Sequence, residues 1–103
     1  MPADPAVLFA ALGDETRLSL IARLGDGEAS IARLTQNSRL TRQAVTKHLY
    51  VLEKAGLVSC ARLGRETIWA LKRQRLEEAK AFLASMSEAW DERLSRLSAH
   101  VER

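Results

Sequence analysis

The stretch Leu40-Thr41-Arg42-Gln43-Ala44-Val45-Thr46-Lys47-His48-Leu49, continued by Tyr50-Val51-Leu52-Glu53-Lys54-Ala55-Gly56, decides the fold of this chain. Thr41 is a good helix N-cap, because its hydroxyl can accept from an amide of the first turn. Val45, Leu49 and Leu52 then recur at spacings of four and three, which gathers them on one stripe and leaves Arg42, Gln43, Thr46, Lys47, Tyr50 and Lys54 off it. Gly56 stands just past the C-terminus, where a left-handed residue is wanted. Such a helix buries one side and offers a polar, cationic side to a partner.

Upstream, Ser30 is placed to cap a short helix to about Thr35 with Ile31 and Leu34 inward, and Asn37-Ser38-Arg39-Leu40 forms the turn into the decisive helix. Further back, a short apolar stretch from Ala6 to Leu12 closes at Gly13. Asp14 then caps a helix to about Leu24, with Leu18, Ile21 and Leu24 on one face, and Gly25-Asp26-Gly27 ends it. Downstream, residues 57–63 and 67–71 are rich in β-formers around Gly64-Arg65 and predict a β-hairpin. After Lys72 a final helix runs from about Arg73 to Val101, with Leu76, Ala79, Leu83, Met86, Trp90, Leu94, Leu97 and Val101 at spacings of three or four. Both prolines lie in the first five residues, so nothing breaks that helix.

Two short helices joined by a tight turn and followed by a hairpin make a winged helix-turn-helix, in which the second helix enters the major groove and the hairpin approaches the adjacent backbone. The expected fold is mainly α with a small β-hairpin. It is one domain over 1–103, with the helix-turn-helix at 30–55, the wing at 57–71, and dimerisation helices at 1–12 and 73–103. A chain of 103 residues with 47% apolar content has material for a single core.

The net charge of +3 is an average over unlike parts. Between Arg33 and Arg75 there are ten basic residues and two acidic ones, a local charge of +8, while residues 1–32 carry −3 and residues 76–103 carry −2. A solvated basic face would produce such a cluster too, but here it coincides with the helix-turn-helix and the hairpin tip, as phosphate contact requires.

Individual roles follow from position. Thr41 at the helix start is placed to meet a phosphate. Arg42 and Gln43 are suited to guanine and adenine edges, and Thr46 and Lys47, one turn on, extend the reading or hold a phosphate. His48 is read either as a phosphate donor or as a histidine satisfied at the edge of the core. Arg62 and Arg65 are the wing candidates. The final helix, at 1.5 Å per residue on the order of 40 Å long, exceeds what a core of this size can cover. Its stripe of Leu83, Met86, Trp90, Leu94 and Leu97 therefore calls for a partner surface, most economically the same helix of a second copy. Two-fold symmetry would set two recognition helices about 34 Å apart on an inverted-repeat operator in double-stranded DNA.

Three ordered motifs resemble the ArsR/SmtB-type winged-helix repressors of prokaryotes: Ala11-Leu12-Gly13-Asp14-Glu15-Thr16-Arg17-Leu18, then Leu40 to Leu49, then Val51-Leu52-Glu53-Lys54-Ala55-Gly56-Leu57-Val58. The resemblance covers about Ala6 to Trp90. It implies a homodimer built on the first and last helices, which adds Phe9 to the interface residues, and repression at operator DNA. The family's recognition helix carries a Ser/Thr, a Gln, a Ser/Thr and a His, matched by Thr41, Gln43, Thr46 and His48. Many relatives bind metal through a Cys-x-Cys followed by Asp-Leu, where this chain has Ser30, Ala32, Arg33 and Leu34; others use Asp and His on the last helix, where His100 stands alone. The chain therefore resembles a non-metal-sensing branch with no cofactor, and Trp90-Asp91-Glu92-Arg93-Leu94 is in keeping with that.

Other classes fit less well. No Gly-rich phosphate loop, nucleophile elbow or carboxylate pair marks an enzyme, and Glu77-Glu78 and Asp91-Glu92 read as solvated helix faces. The single cysteine, Cys60, has no partner for a disulfide and is expected to be a buried, inert thiol in a reducing, cytoplasmic setting. No apolar run is long enough to span a membrane. Two alternatives stand beside the repressor: a winged-helix protein-interaction module, and a regulator that takes a small-molecule effector in an apolar dimer-interface pocket lined by Phe9, Phe82, Met86 and Trp90.

Overall fold

The computed structural model describes residues 4–101. The first three residues and the last two, where the expected dimerisation segments begin and end, lie outside the described residues, as does the side chain of Val101 in the predicted stripe. In chain order the elements are α1 (Pro5–Leu12), α2 (Glu15–Gly25), β1 (Ala29–Ser30), α3 (Ile31–Thr35), α4 (Arg42–Lys54), β2 (Val58–Leu63), β3 (Glu66–Leu71) and α5 (Arg73–Val101).

Local chemistry starts the first four helices. Asp4, Asp14, Ser30 and Thr41 each accept, through a side-chain oxygen, an amide of the turn they open: those of Ala6, Arg17, Arg33 and Ala44. The end of α4 is equally explicit. Gly56 has φ +80°, its N–H donates to Glu53 O at 2.9 Å, and Leu57 N–H donates to Leu52 O at 3.0 Å, the paired bonds of a Schellman motif. The backbone conformation asks for glycine there, and a Cβ would also stand 2.8 Å from Arg75 Nε and make that side chain shift.

Leu8, Leu20, Leu24, Leu34, Val45, Leu49, Leu52, Leu57, Val58 and Trp69 form one buried cluster, with Leu49 and Leu52 fully removed from solvent. The α4 stripe is thus its centre, and each such side chain contributes about 1.5–3 kcal/mol of burial energy. On α2 the inward face differs from the expected one. Leu20 and Leu24 are buried, Ile21 is packed against the cluster, and Leu18 is 52% exposed. Two residues of helix turn the side chain by about 200°, so a helix that buries Leu20 must expose Leu18.

The hairpin pairs β2 with β3 from Val58↔Leu71 to Leu63↔Glu66, closed by Gly64-Arg65. Gly64 alone of that pair has positive φ, at 65°, the pattern of a type II′ turn. A third strand that the sequence reading did not anticipate, β1, pairs antiparallel with β3 through Ala29↔Trp69 and Ser30↔Ile68, so β3 is central and buries Trp69. Helix α5 covers this body only with its first turns. Ala79 is buried and Leu76 is packed against the core, whereas every residue from Ala81 to His100 is exposed. The projecting helix accounts for the elongated outline of 68 × 31 × 21 Å. Among the described residues no helix is long and apolar enough to cross a membrane.

Candidate nucleic-acid interface

Helix α4 is seated by its apolar stripe, and two arginines of α2 fasten the helices beside it. Arg23 donates to the main-chain oxygens of Leu34 at 2.7 Å and Arg33 at 2.8 Å, tying the end of α3 to α2. Arg17 does the same for α1, with Nε donating to Ala11 O at 2.6 Å and a terminal nitrogen to Ala10 O at 3.3 Å. Each guanidinium meets carbonyls of a last helical turn, at the negative pole of its dipole, where Ala10 O and Arg33 O also accept from the capping N–H groups of Gly13 and Gln36. Between α3 and α4 the chain reverses through Asn37 at φ 62°, a left-handed conformation that asparagine tolerates.

The outward face of α4 carries Gln43, Lys47, Tyr50 and Lys54 at helical spacings of four, three and four, all exposed, with Arg42 exposed at the first turn. Arg42, Gln43, Thr46 and Lys47 border one open surface depression. Thr41 Oγ accepts from Ala44 N at 3.1 Å, and Thr41 O accepts from Val45 N at 3.0 Å. The Thr41 hydroxyl proton and the N–H groups of Arg42 and Gln43 are left at the positive end of the helix for an anion. Thr46 differs: its hydroxyl donates to Arg42 O at 2.7 Å, so its methyl and its lone pairs are what it can present. Arg62 and Arg65 are both exposed, on β2 and at the hairpin tip.

His48 does not share this face. Its Nδ1 lies 3.2 Å from a terminal nitrogen of Arg17 and 3.7 Å from Asp14 Oδ2, with a quarter of the side chain exposed. Of the two readings of this residue, the geometry is that of a histidine satisfied at the edge of the core. The Asp14 carboxyl is held below its ordinary range chiefly by the hydrogen bond from Arg17 N–H; desolvation opposes this, and the charges of Arg17 and His48 and the N–H of Thr16 add smaller lowering effects. Arg17 lies in the first of the three family motifs, but neither its contacts nor those of Arg23 are signalled by the sequence. Tyr50 stands in the outward row with its ring edge-on to Trp69 at 5.8 Å.

Cys60 is exposed, a correction to the buried thiol expected. It lies on β2, where only Val58 is buried, and Sγ donates to Glu53 Oε2 at 3.3 Å. Desolvation first, then the hydrogen bond to Glu53 and its charge, push the thiol up from its ordinary range. Glu78, read as part of a solvated face, is ion-paired with Arg75. On α1 and α5, Phe9 and Phe82 meet at 5.7 Å between ring centroids, while Met86 and Trp90 border only an open depression with Ala89 and Arg93. Leu83, Met86, Trp90, Leu94 and Leu97 are each 46–59% exposed. Among the described residues no group of three or more His, Cys, Asp or Glu is placed to hold a metal.

Known proteins share this arrangement. A family model described as a helix-turn-helix domain matches residues 12–61. An uncharacterized HTH-type transcriptional regulator of Bacillus subtilis, YuzN, is 34% identical over 84 residues, 75% of this chain and 91% of that protein. The transcriptional activator HlyU of Vibrio cholerae is 30% identical over 69 residues, 67% of this chain and 64% of its own length. Among solved structures, an ArsR-like transcriptional regulator from a Rhodococcus species superposes with a TM-score of 0.79 at 34% identity, covering 90% of this chain and 88% of that one. All three proteins are named as regulators or activators of transcription. The chain belongs to the ArsR family of helix-turn-helix transcriptional regulators.

Proposed function

We propose that the chain is a homodimeric transcriptional repressor, cytoplasmic and free of a metal cofactor, which binds an inverted-repeat operator through α4 and the β2–β3 wing. The observation that carries this reading is that Arg42, Gln43, Thr46 and Lys47 border one open surface of the helix-turn-helix, within the sequence segment whose local charge is +8. Arg42 and Gln43 read base edges, Thr46 packs its methyl against a thymine, and Thr41 and Lys47 hold phosphates. Arg62 and Arg65 follow the neighbouring backbone from the wing. His48 supports α4 from behind.

The homodimer rests on the uncovered length of α5. Leu83, Met86, Trp90, Leu94 and Leu97 form an apolar stripe too long for its own domain, and Phe9 of α1, in tilted contact with Phe82, extends it. A second copy presents the same stripe in two-fold register, and this closes the surface without a further partner. Repression is the outcome of a dimer that occupies its operator and excludes other proteins. HlyU of Vibrio cholerae is named an activator, so the sign is to be read from a reporter gene with and without the protein.

The test is a salt titration of binding to random-sequence duplex DNA. Neutralised phosphates release counterions, so affinity falls steeply as salt rises, and substitution of Lys47 by Ala reduces the slope by about one unit. Binding that ignores salt contradicts the reading.

A further inference from the structure

The cluster of Asp14, Arg17 and His48 plays no direct part in reading DNA, yet it joins three helices. Arg17 grips the C-terminal carbonyls of α1, at Ala10 and Ala11, and the same guanidinium reaches His48 on α4. Helix α1 in turn meets α5 through the tilted ring pair Phe9–Phe82. A guanidinium only donates, so the Arg17–His48 hydrogen bond needs His48 Nδ1 as an acceptor, which requires a neutral ring with its proton on Nε2. Asp14 Oδ2, 3.7 Å from that same nitrogen, is a partner only for the protonated ring. One nitrogen cannot serve both.

We infer that Arg17 and His48 form a protonation-sensitive latch between α1 and α4, in which neutral His48 locks the recognition helix to the α1 terminus and protonated His48 releases Arg17 in favour of Asp14. The inference rests on the DNA-binding reading above and makes Arg17 a positioning residue for it. The charged groups facing His48 come from α2 and its cap, as Asp14 and Arg17. Helix α1, Pro5–Leu12, carries no titratable side chain, and Arg33, Cys60 and Arg62 on α3 and β2, which also flank α4, make no hydrogen bond or ion pair with His48. The latch gives a sign opposite to that of a phosphate-contacting histidine. Direct phosphate contact strengthens as the ring gains charge, whereas the latch opens.

The experiment measures the affinity of the full chain for a duplex recovered by selection from random-sequence DNA, between about pH 5.5 and 8. The variants are His48→Asn and Arg17→Lys. The asparagine amide oxygen can stand near the Nδ1 position and accept at any pH. Lysine keeps the positive charge but has no fork to span two carbonyls and a ring nitrogen. We expect wild-type affinity to fall on acidification by no more than about tenfold, which corresponds to one charged hydrogen bond, because the bond orients α4 and does not itself touch DNA. His48→Asn should be flat across the interval and close to wild type at its upper end. Arg17→Lys should bind several-fold more weakly throughout with unchanged helix content. His100 is common to all three proteins, so the difference belongs to His48. Wild-type affinity that rises on acidification, or an Arg17→Lys protein that binds as wild type does, overturns the latch and leaves the DNA reading standing. Absence of salt-dependent binding by the wild type at every pH overturns both.

Discussion

Arg23 of α2 donates to the main-chain oxygen of Leu34 at 2.7 Å, and through its other terminal nitrogen to that of Arg33, so one side chain carries the end of the first helix of the helix-turn-helix. The α3 helix is only five residues long and cannot persist by propensity alone. Its angle to α4 therefore depends on this grip as well as on Leu34. Substituting Arg23 by Ala removes two charge-assisted bonds at a partly exposed site and is expected to cost about 1–2 kcal/mol in denaturant unfolding. Arg23→Lys, with a point charge where a fork is needed, should recover less than half of that loss.

Acid stability has a defined contributor in Asp14. Its folded-state carboxyl is held below the ordinary carboxylate range, chiefly by the Arg17 N–H at the start of α2. A group with a depressed folded-state value contributes stability that is fully present above its unfolded value and is lost as pH falls through the folded one. Thermal midpoints should therefore fall as pH drops below about 4, where ordinary aspartates titrate. The Asp14→Asn protein, which keeps a capping oxygen without the charge, should lose less over the same range. Parallel curves for the two proteins would mean that acid unfolding is governed elsewhere.

Cys60 is exposed but held as a thiol. Desolvation, then the hydrogen bond to Glu53 and its charge, raise it above the usual range, so alkylation by a neutral reagent at about pH 7.5 should be slow compared with a free thiol, because the thiolate is the nucleophile. Glu53→Gln removes the nearby charge and should speed alkylation, by no more than about fivefold given about 1 kcal/mol between unit charges 4 Å apart in water. Slower alkylation in the variant would contradict the pairing.

How far the fold is legible depends on the reach of the chemistry involved. The α4 boundaries and inner stripe follow from Thr41, Val45, Leu49, Leu52 and Gly56, because caps and helical spacing are local. The hairpin is legible for the same reason at Gly64-Arg65. Strand β1 is not, since Ala29 and Ser30 are too few to show a period and become a strand only because Trp69 and Ile68 lie alongside. On α2, Leu18, Leu20, Ile21 and Leu24 allow two phases of burial, and the neighbours choose the one with Leu20 inside. Arg17 and Arg23 read as solvated charges until the ends of α1 and α3 are folded against them. The outward row of α4 was visible from the sequence; the setting of His48 among Asp14 and Arg17 needed the packed helices.

The uncovered stripe of α5 predicts the oligomeric state. Trp90 and Leu97 are 55% and 59% exposed in the single chain and are expected to be buried in a two-fold pair. Replacing both by Glu places like charges across that interface and should leave a species with the mass of one chain in sedimentation equilibrium. The exposed part of α5, without a partner, should also lose helical circular dichroism. An unchanged dimer mass would move the interface to another surface.

The most direct measurement is the selection of binding sites from random-sequence duplex DNA by the purified full chain. If two copies of α4 read DNA about one helical turn apart, the recovered sites are inverted repeats whose half-site centres lie about 10 bp, or a multiple of that, from each other, and Arg42→Ala or Gln43→Ala relaxes one base position in each half. Recovery of no shared sequence, or of isolated half-sites without two-fold symmetry, contradicts the account.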